Sequence, residues 1–168
     1  MIEVVIDSIR ISLVSQHRIV MLKDPETESQ LAIWIGPCEA DAITIELQNT
    51  EVARPLTHDL LKNAIEQLGA RISHILISEL RDQVFYARLY VDVAGKNREI
   101  DCRPSDAIAL AVRAKVPIFV EVAVMEEAGI VAETPEPEGG EGEAGEPKPL
   151  DAFADFVDTL DFDDFDES

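Results

Sequence analysis

The composition of the chain changes abruptly after residue 130, and this break limits how much of the chain can form a folded domain. Of the 19 residues 131–149, 14 are Pro, Gly or Glu. Such a stretch holds too little apolar surface to offset the entropy lost on ordering, so we predict a disordered linker there. Residues 1–130 then form a single globular domain, and residues 150–168 are a separate segment beyond the linker.

That last segment, residues 150–168, is called the acidic segment below. It contains eight acidic residues, no basic residue and four of the six Phe of the protein. Its apolar residues follow helical spacing between the acids. They are Leu150, Phe153, Phe156, Val157 and Leu160. Solubilisation alone would not need the Phe side chains, so we expect the acidic segment to bind a surface of its own domain or of another protein.

Charge and apolar patterning exclude several classes of protein. The net charge is −20, of which −13 comes from residues 131–168. The overall charge therefore disfavours binding of nucleic acid, which would need a local basic patch. The longest apolar run, residues 107–112, is far shorter than the roughly 20 residues of a membrane span. The N-terminus lacks the basic region of a secretory signal, and Cys38 and Cys102 lack metal-site spacing. We therefore expect a cytoplasmic protein without membrane association.

The domain alternates between runs of strand signals and helix signals. Strands are predicted over residues 2–14, 18–23, 30–35, 71–80, 84–93, 98–102 and 117–122, with a hairpin turn at residues 95–97. Helices are predicted over residues 37–48, 57–68 and 104–115, with a short one over 124–128. This order predicts an α+β fold with a mixed, largely antiparallel sheet packed with three main helices.

Apolar spacing also predicts which faces are buried. In strand 84–93, the residues at odd positions are apolar and those at even positions are mostly polar, so the odd face should pack on the core. In helix 37–48 the predicted inner face holds Cys38, Ala42 and Ile45. In helix 57–68 the predicted inner stripe consists of Leu60, Leu61, Ala64, Ile65 and Leu68.

Two short segments, RPLTHD at 54–59 and RPSD at 103–106, share one construction. In each, Arg-Pro precedes a hydroxyl residue that we predict as the helix N-cap, and an acid follows in the first turn. The members are Arg54, Thr57 and Asp59 in the first segment and Arg103, Ser105 and Asp106 in the second. Because helix N-termini attract anions, we expect both arginines to meet at one phosphate-binding pocket, with Thr57 and Ser105 contacting the phosphate. The alternative is simple capping, with each arginine paired to a nearby acid.

Carboxylates near these helix starts are candidate metal ligands. If the helix starts meet in space, Glu39, Asp59 and Asp106 would hold Mg²⁺ or Mn²⁺ against a phosphate. His58 would then move a proton as a general acid or base. The alternative is that each acid is a cap or surface residue and that His58 is a surface histidine.

The polar face of strand 84–93 offers one candidate stacking platform for bases. Tyr86 and Tyr90 lie on this face with Arg88 between them. The alternative is an exposed sheet face or a subunit interface.

These motifs also carry a family resemblance. The segments IWIGPCEA (33–40), RPLTHDLL (54–61), LGA (68–70), FYA (85–87) and RPSDAIAL (103–110) resemble, in order and over about residues 2–130, the bifunctional nuclease domain family. The resemblance implies an α+β domain that is dimeric or of higher order and a nuclease acting on both DNA and RNA. Some members carry a UVR-type helical motif after this domain, whereas this chain carries the linker and the acidic segment.

With the resemblance added, the predicted site has three groups of residues. The predicted catalytic residues are Arg54, His58, Asp59, Arg103 and Asp106. The predicted phosphate ligands are Thr57 and Ser105, and the predicted metal ligands are Glu39, Asp59 and Asp106. The alternative function is a non-enzymatic regulatory module that binds an anionic ligand or a partner and uses these motifs structurally.

Overall fold

The computed structural model describes residues 1–12 and 17–131 of the chain, and these contain eight strands and four helices. The strands are β1 (Ile2–Ile11), β2 (Arg18–Lys23), β3 (Ser29–Ile35), β4 (Ala70–Arg81), β5 (Val84–Val93), β6 (Lys96–Cys102), β7 (Ile118–Val120) and β8 (Gly129–Val131). The helices are α1 (Pro37–Leu47), α2 (Thr57–Gln67), α3 (Pro104–Ala114) and α4 (Val122–Ala128).

The strands form one sheet in the order β6-β5-β4-β7-β1-β2-β3-β8. Neighbouring strands are antiparallel except for β4 and β7, which are parallel. Strands β4, β5 and β6 follow one another as a meander, and α3 then carries the chain back to place β7 beside β4. A parallel pair needs such a crossover. The predicted α+β fold with a mixed, largely antiparallel sheet is confirmed.

The core lies between the sheet and α3. In β5, Ala87, Leu89 and Val91 are buried, as the alternation predicts, and they pair across the strands with Ile77, Ile75 and Ile72 of β4. Helix α3 is buried on nearly all sides through residues 107–111. It packs against α1, α2, β4 and β5, and its small alanine side chains allow this close approach. Helices α1 and α2 and strands β4 and β5 therefore meet around α3.

The predicted inner face of α1 is confirmed for Ala42 and wrong for Cys38, and the predicted inner stripe of α2 is wrong for its leucines. Helix α1 buries Ala40, Ala42 and Ile43, whereas Cys38 is exposed. In α2 the only buried residue is His58. The apolar stripe of α2 is largely exposed, with 65% exposure for Leu60, 44% for Leu61 and 84% for Leu68, which follows the helix. Periodicity shows that a helix has an apolar face, but it does not show whether the same domain covers that face.

The C-terminal end of the described residues adds a strand that the sequence did not predict. Strand β8 is only three residues long and pairs with β3 from Ser29 to Leu31, so Val131 belongs to the sheet and not to the predicted linker. The rest of the predicted linker and the whole acidic segment lie outside the described residues. Among the described residues, no helix is long and apolar enough to cross a membrane.

The β5–β6 connection is a two-residue turn, Ala94-Gly95, one residue earlier than predicted. Both residues have positive φ, 52° for Ala94 and 79° for Gly95. Two-residue hairpins with positive φ at both positions match the twist of the strands, and Asn-Gly is the preferred pair for them. Ala94 therefore occupies a conformation that is unfavourable for a side chain with a β-carbon.

We predict that Ala94→Asn stabilises the domain. Asn tolerates the left-handed region better than Ala, so the free energy of unfolding should rise by about 0.5 kcal/mol. Urea denaturation measures this change. Gly95→Ala is the matched control and should lower stability, because it puts a β-carbon at the second positive φ. A loss of stability in Ala94→Asn would contradict the turn assignment.

Candidate active site

Three helices begin around one pocket. Each of α1, α2 and α3 has an acid at its third position, Glu39, Asp59 and Asp106 respectively. Since α1 and α2 both pack against α3, their N-terminal turns come together. They line a cavity of about 610 Å³, called the helix-start pocket below, whose lining includes Glu39, Thr57, His58, Arg103 and Asp106.

Arg103 lies at the edge of this pocket and bridges two of the acids. Its Nη2 donates to Glu39 Oε1 at 2.7 Å, and its Nε donates to Asp106 Oδ2 at 2.7 Å. A third bond joins Nη2 to Asp106 Oδ1 at 3.0 Å. These bonds with Asp106 and Glu39 raise the pKa of Arg103, so the guanidinium stays charged. The side chain is 65% exposed, and its Nη1 makes no hydrogen bond to the described residues.

Gly36 makes room for this bridge. It is the N-cap of α1, and a β-carbon built on it would collide with the Glu39 carboxylate. Without a side chain at Gly36, the carboxylate folds back over the helix start and meets Arg103. The Gly-Pro-Cys-Glu sequence at the start of α1 therefore helps to build the pocket.

His58 is the buried member of the pocket. It is 9% exposed, and its Nε2 lies 3.1 Å from Asp106 Oδ1. Burial tends to raise the pKa of Asp106, but the hydrogen bonds from Arg103 and His58 outweigh it and lower that pKa. Because an ionised carboxylate only accepts hydrogen bonds, this contact assigns the proton of a neutral His58 ring to Nε2 and the lone pair to Nδ1.

A buried arginine that the sequence analysis missed ties the three helices together. The Arg113 side chain is 3% exposed, and its Nε donates to Asp59 Oδ1 at 2.6 Å. Its Nη1 and Nη2 donate to the carbonyls of Ala109 and Ala42 at 2.9 and 3.0 Å. The available signal was an Arg directly after the apolar run 107–112, because a charge on a core helix needs a buried partner.

Asp59 is consequently a structural residue in this arrangement. Its second oxygen, Oδ2, accepts the backbone N–H of Leu56 at 2.7 Å. Burial tends to raise the pKa of Asp59, but the bonds from Leu56 and Arg113 together lower it. Both oxygens are thus engaged on the inner side of α2, while His58, one residue earlier, faces the pocket.

The two Arg-Pro segments are not equivalent in space. The N-caps are Leu56 and Arg103, not Thr57 and Ser105, and neither helix has a side-chain cap bond. Pro104 takes the first helical position, which suits its fixed φ and missing N–H, and so moves the cap back to Arg103. Ser105 is buried, whereas Thr57 lines the helix-start pocket.

Arg54 is not brought into the helix-start pocket. It is exposed, forms no ion pair with the described residues and is absent from the lining of this pocket, whereas the next residue, Pro55, belongs to it. The expectation that Arg54 and Arg103 share one pocket is therefore not met. A role for Arg54 in substrate binding stays a prediction.

The three predicted metal ligands do not fit a metal ion in this arrangement. Within residues 1–12 and 17–131, no three His, Cys, Asp or Glu side chains are grouped so that they could hold one. Asp59 is turned to Arg113, and the oxygens of Glu39 and Asp106 bond to Arg103 and His58. The involvement of Mg²⁺ or Mn²⁺ stays a prediction that the geometry does not support by itself.

A second cavity adjoins the helix-start pocket and is called the α2–β6 groove below. It has a volume of about 700 Å³ and shares Thr57, His58, Arg103 and Asp106 with the pocket. From these shared residues it runs over apolar side chains of α2, β5 and β6. They include Leu61, Ile65, Leu89 and Ile100.

The candidate stacking platform on β5 is occupied by neighbouring side chains. Tyr90 stacks on His74 with ring centroids 4.3 Å apart, and the Arg81 guanidinium lies 4.6 Å from the Tyr86 ring centroid. Arg88 forms an ion pair with Glu99 at 2.7 Å. Base binding on this face stays a prediction.

Comparisons with known proteins point to one family. A family model described as the bifunctional nuclease domain matches residues 20–133. A protein of Mycobacterium tuberculosis described as uncharacterized is 36% identical over 163 residues, which is 97% of each chain. Bifunctional nuclease 1 of Oryza sativa subsp. indica is 29% identical over 124 residues, covering 72% of this chain and 38% of the rice protein. Bifunctional nuclease 2 of Oryza sativa subsp. japonica is 31% identical over 108 residues, covering 62% and 33%.

We predict that Arg113→Met destabilises the domain strongly. The substitution leaves the Asp59 carboxylate and two buried carbonyls without their donor, and breaking a buried ion pair in this way costs about 3–5 kcal/mol. Urea denaturation of the full chain measures the loss. In the double variant with Asp59→Asn, part of the loss should be recovered, because no unpaired charge remains. Equal losses in the single and double variants would contradict a direct pairing.

The same pair predicts a pH dependence. Since the folded-state pKa of Asp59 is lowered, its contribution is present above its unfolded pKa of about 3.9 and is lost as pH falls through the folded value. The stability difference between the protein and Asp59→Asn should therefore be full at pH 7 and shrink below about pH 4. Denaturation midpoints at pH 3 to 7 provide the measurement, and a difference independent of pH would be inconsistent with the ionised pair.

Proposed function

Because the chain belongs to the bifunctional nuclease domain family, we propose that it is a nuclease that hydrolyses phosphodiester bonds of DNA and RNA in the helix-start pocket. The observation that carries this proposal is the cluster of Arg103, Asp106 and His58. It places a permanent cation and a carboxylate-bound imidazole side by side at the mouth of one cavity. The plant relatives named bifunctional nucleases support the reaction class.

Arg103 would bind the phosphate and stabilise the charge that develops during its cleavage. The Glu39 and Asp106 bonds fix the guanidinium plane and leave Nη1 without a hydrogen bond to the described residues. A fixed, planar donor placed before the reaction stabilises developing negative charge without reorganisation. Arg103 would have this role and Arg54 would not, because Arg54 does not line the pocket.

His58 would take the proton from the attacking water. Asp106 holds Nε2–H, so Nδ1 carries the lone pair, and the carboxylate stabilises the imidazolium that forms. Asp106 thus forms hydrogen bonds with both His58 and Arg103. Asp59 positions the start of α2, and with it His58, through its bond to Arg113.

The acidic lining of the pocket counts against a polyanionic substrate and so favours the alternative function, a non-enzymatic module that binds a partner or a single small anionic ligand at Arg103. Arg103 is shared between two carboxylates, and Asp41 also lines the cavity, so local charge gives a polyanion little attraction. This alternative predicts that nucleotides or small phosphate compounds raise the melting temperature while oligonucleotides stay intact. We also propose, from the resemblance and the composition, a cytoplasmic protein that assembles as a homodimer or larger oligomer.

We predict that Arg103→Ala and His58→Gln both abolish most of the nuclease activity. Loss of the phosphate cation should lower kcat/KM by about 100-fold or more, as removal of one transition-state donor does. Gln keeps an N–H donor for Asp106 but has no basic nitrogen, so His58→Gln should lower kcat by about 100-fold with little change in stability. The assay uses labelled single- and double-stranded DNA and RNA with Mg²⁺, Mn²⁺ or a chelator.

Arg54→Ala is the matched control for this assay. It removes the same charge from a residue outside the pocket, so it should change kcat much less than Arg103→Ala does. Activity that survives both Arg103→Ala and His58→Gln would show that cleavage occurs elsewhere or comes from a contaminant. Absence of cleavage by the unaltered protein under all conditions, with stabilisation by nucleotides, would favour the binding module.

A further inference from the structure

A third cavity adjoins Arg103 and is called the Trp34 pocket below. It has a volume of about 280 Å³ and lies where the end of β3, the β4–β5 turn and the start of α3 meet. Its lining includes Trp34, Gln83, Phe85, Arg103 and Pro104. Among the described residues, Arg103 alone lines both this pocket and the helix-start pocket. A ligand held by Arg103 can therefore extend from one cavity into the other.

The Trp34 pocket differs in charge from the other two cavities beside Arg103. None of the described residues that line it is acidic. The helix-start pocket is lined by Glu39, Asp41 and Asp106, and the α2–β6 groove by Asp101 and Asp106. In a chain with net charge −20, an anionic ligand is repelled least where the lining holds an arginine and no carboxylate. Of these three approaches to Arg103, the Trp34 pocket therefore suits an anionic ligand best.

Trp34 places a large aromatic side chain at the rim of this pocket. Its neighbours Ile33 and Ile35 are buried, so the alternation of β3 turns Trp34 away from the core. It is 60% exposed, and its ring centroid lies 5.5 Å from that of His17, with the two ring planes nearly perpendicular. Packing within the domain therefore does not account for the indole. Exposed aromatic rings beside a cation are what proteins use to bind unpaired bases, because every base has a π-face that can stack.

The β4–β5 turn adds a polar side chain to the same lining. Its two central residues, Asp82 and Gln83, have positive φ of 51° and 62°. Gly or Asn would suit such a turn better, so the turn alone does not account for Gln83. Gln83 is exposed, and its side chain makes no hydrogen bond to the described residues. A free amide offers a donor and an acceptor together, which matches the hydrogen-bonding edge of a base.

We propose that the Trp34 pocket binds one unpaired base of single-stranded nucleic acid while Arg103 holds an adjacent phosphate. The base would stack on the Trp34 indole, and the Gln83 amide would bond to its edge. The placement of a phosphate at Arg103 rests on the proposed function, to which this inference adds the substrate class. In a duplex each base is stacked on its neighbours and its pairing edge is occupied, so a duplex cannot fill the pocket without first opening.

Trp34 is the only tryptophan of the chain, so its fluorescence reports on the pocket directly. The full chain is titrated with a single-stranded oligonucleotide of about eight nucleotides and with the duplex of the same sequence, each with Mg²⁺ and with a chelator. We expect saturable quenching by the single strand and little quenching by the duplex at equal concentrations. Absence of quenching by the single strand in both conditions, or equal quenching by the duplex, would overturn the proposal.

Small ligands separate the contribution of the base from that of the phosphate. A nucleoside monophosphate carries both groups and should quench Trp34, whereas ribose 5-phosphate carries the phosphate without a base and should not. Equal quenching by the two compounds would contradict base stacking, because the anion alone would then account for the signal. Tighter binding of the monophosphate than of the single strand would show a site for free nucleotides and would overturn the assignment to single-stranded nucleic acid.

Variants test the residues through the affinity for a fluorescently labelled single strand. Trp34→Ala should lower this affinity about tenfold or more, as loss of one stacked base does, whereas Trp34→Phe keeps a ring and should retain most of it. Leu60→Ala is the matched control, since Leu60 is as exposed as Trp34 but lines none of the three cavities, and it should leave the affinity unchanged. Gln83→Ala should reduce the differences in affinity among the four homopolymers. Unchanged affinity in Trp34→Ala, or an equal loss in Leu60→Ala, would refute the base pocket.

The same measurements distinguish a failure of this inference from a failure of the proposed function. Quenching by the single strand without cleavage in any condition would retain the base pocket and reject the nuclease. Cleavage of single strands and duplexes at equal rates, undiminished in Trp34→Ala, would retain the nuclease and reject the base pocket.

Discussion

The buried Arg113 side chain is the constraint on which the arrangement of the site depends. Its guanidinium donates hydrogen bonds to the Asp59 carboxylate of α2 and to backbone carbonyls of α1 and α3. Burying a charge is unfavourable unless every donor is satisfied, so the three helices are held in the one arrangement that satisfies it. Glu39, Asp106, His58 and Arg103 line one pocket because the helices that carry them are held together by this buried side chain.

Arg103 and Arg113 have similar partners but differ in burial, and this difference separates their roles. Both pair with a carboxylate at the third position of a helix, Asp59 for Arg113 and Asp106 for Arg103. Arg113 is surrounded by protein and has no route to a ligand, whereas the Arg103 side chain is 65% exposed at the pocket edge. An exposed ion pair contributes little to stability, which agrees with the proposal that Arg103 binds phosphate and does not serve mainly to hold the fold together.

The sequence predicted the bounds of the helices and strands better than it predicted which of their faces are buried. The bounds of β2 and β5 coincide with the predicted strands, and for β5 the reason is that alternation indicates a half-buried strand directly. The sequence could predict that residues at the starts of α2 and α3 lie together, because an Arg-Pro pair beside a helix start is a local pattern. Arg113 was missed because its role depends on α1 and α2, which are distant in sequence, and the position of Arg54 outside the pocket could not be inferred from its similarity to Arg103.

The wrong prediction for the inner stripe of α2 is relevant to function. A stripe of leucines predicts a buried helix face, yet Leu60, Leu61 and Leu68 remain exposed within the described residues. Exposing such a stripe beside an acidic pocket is costly for solubility unless something covers it part of the time. The α2–β6 groove continues part of this stripe through Leu61 and Ile65 and reaches His58, Arg103 and Asp106, the residues proposed to act on phosphate.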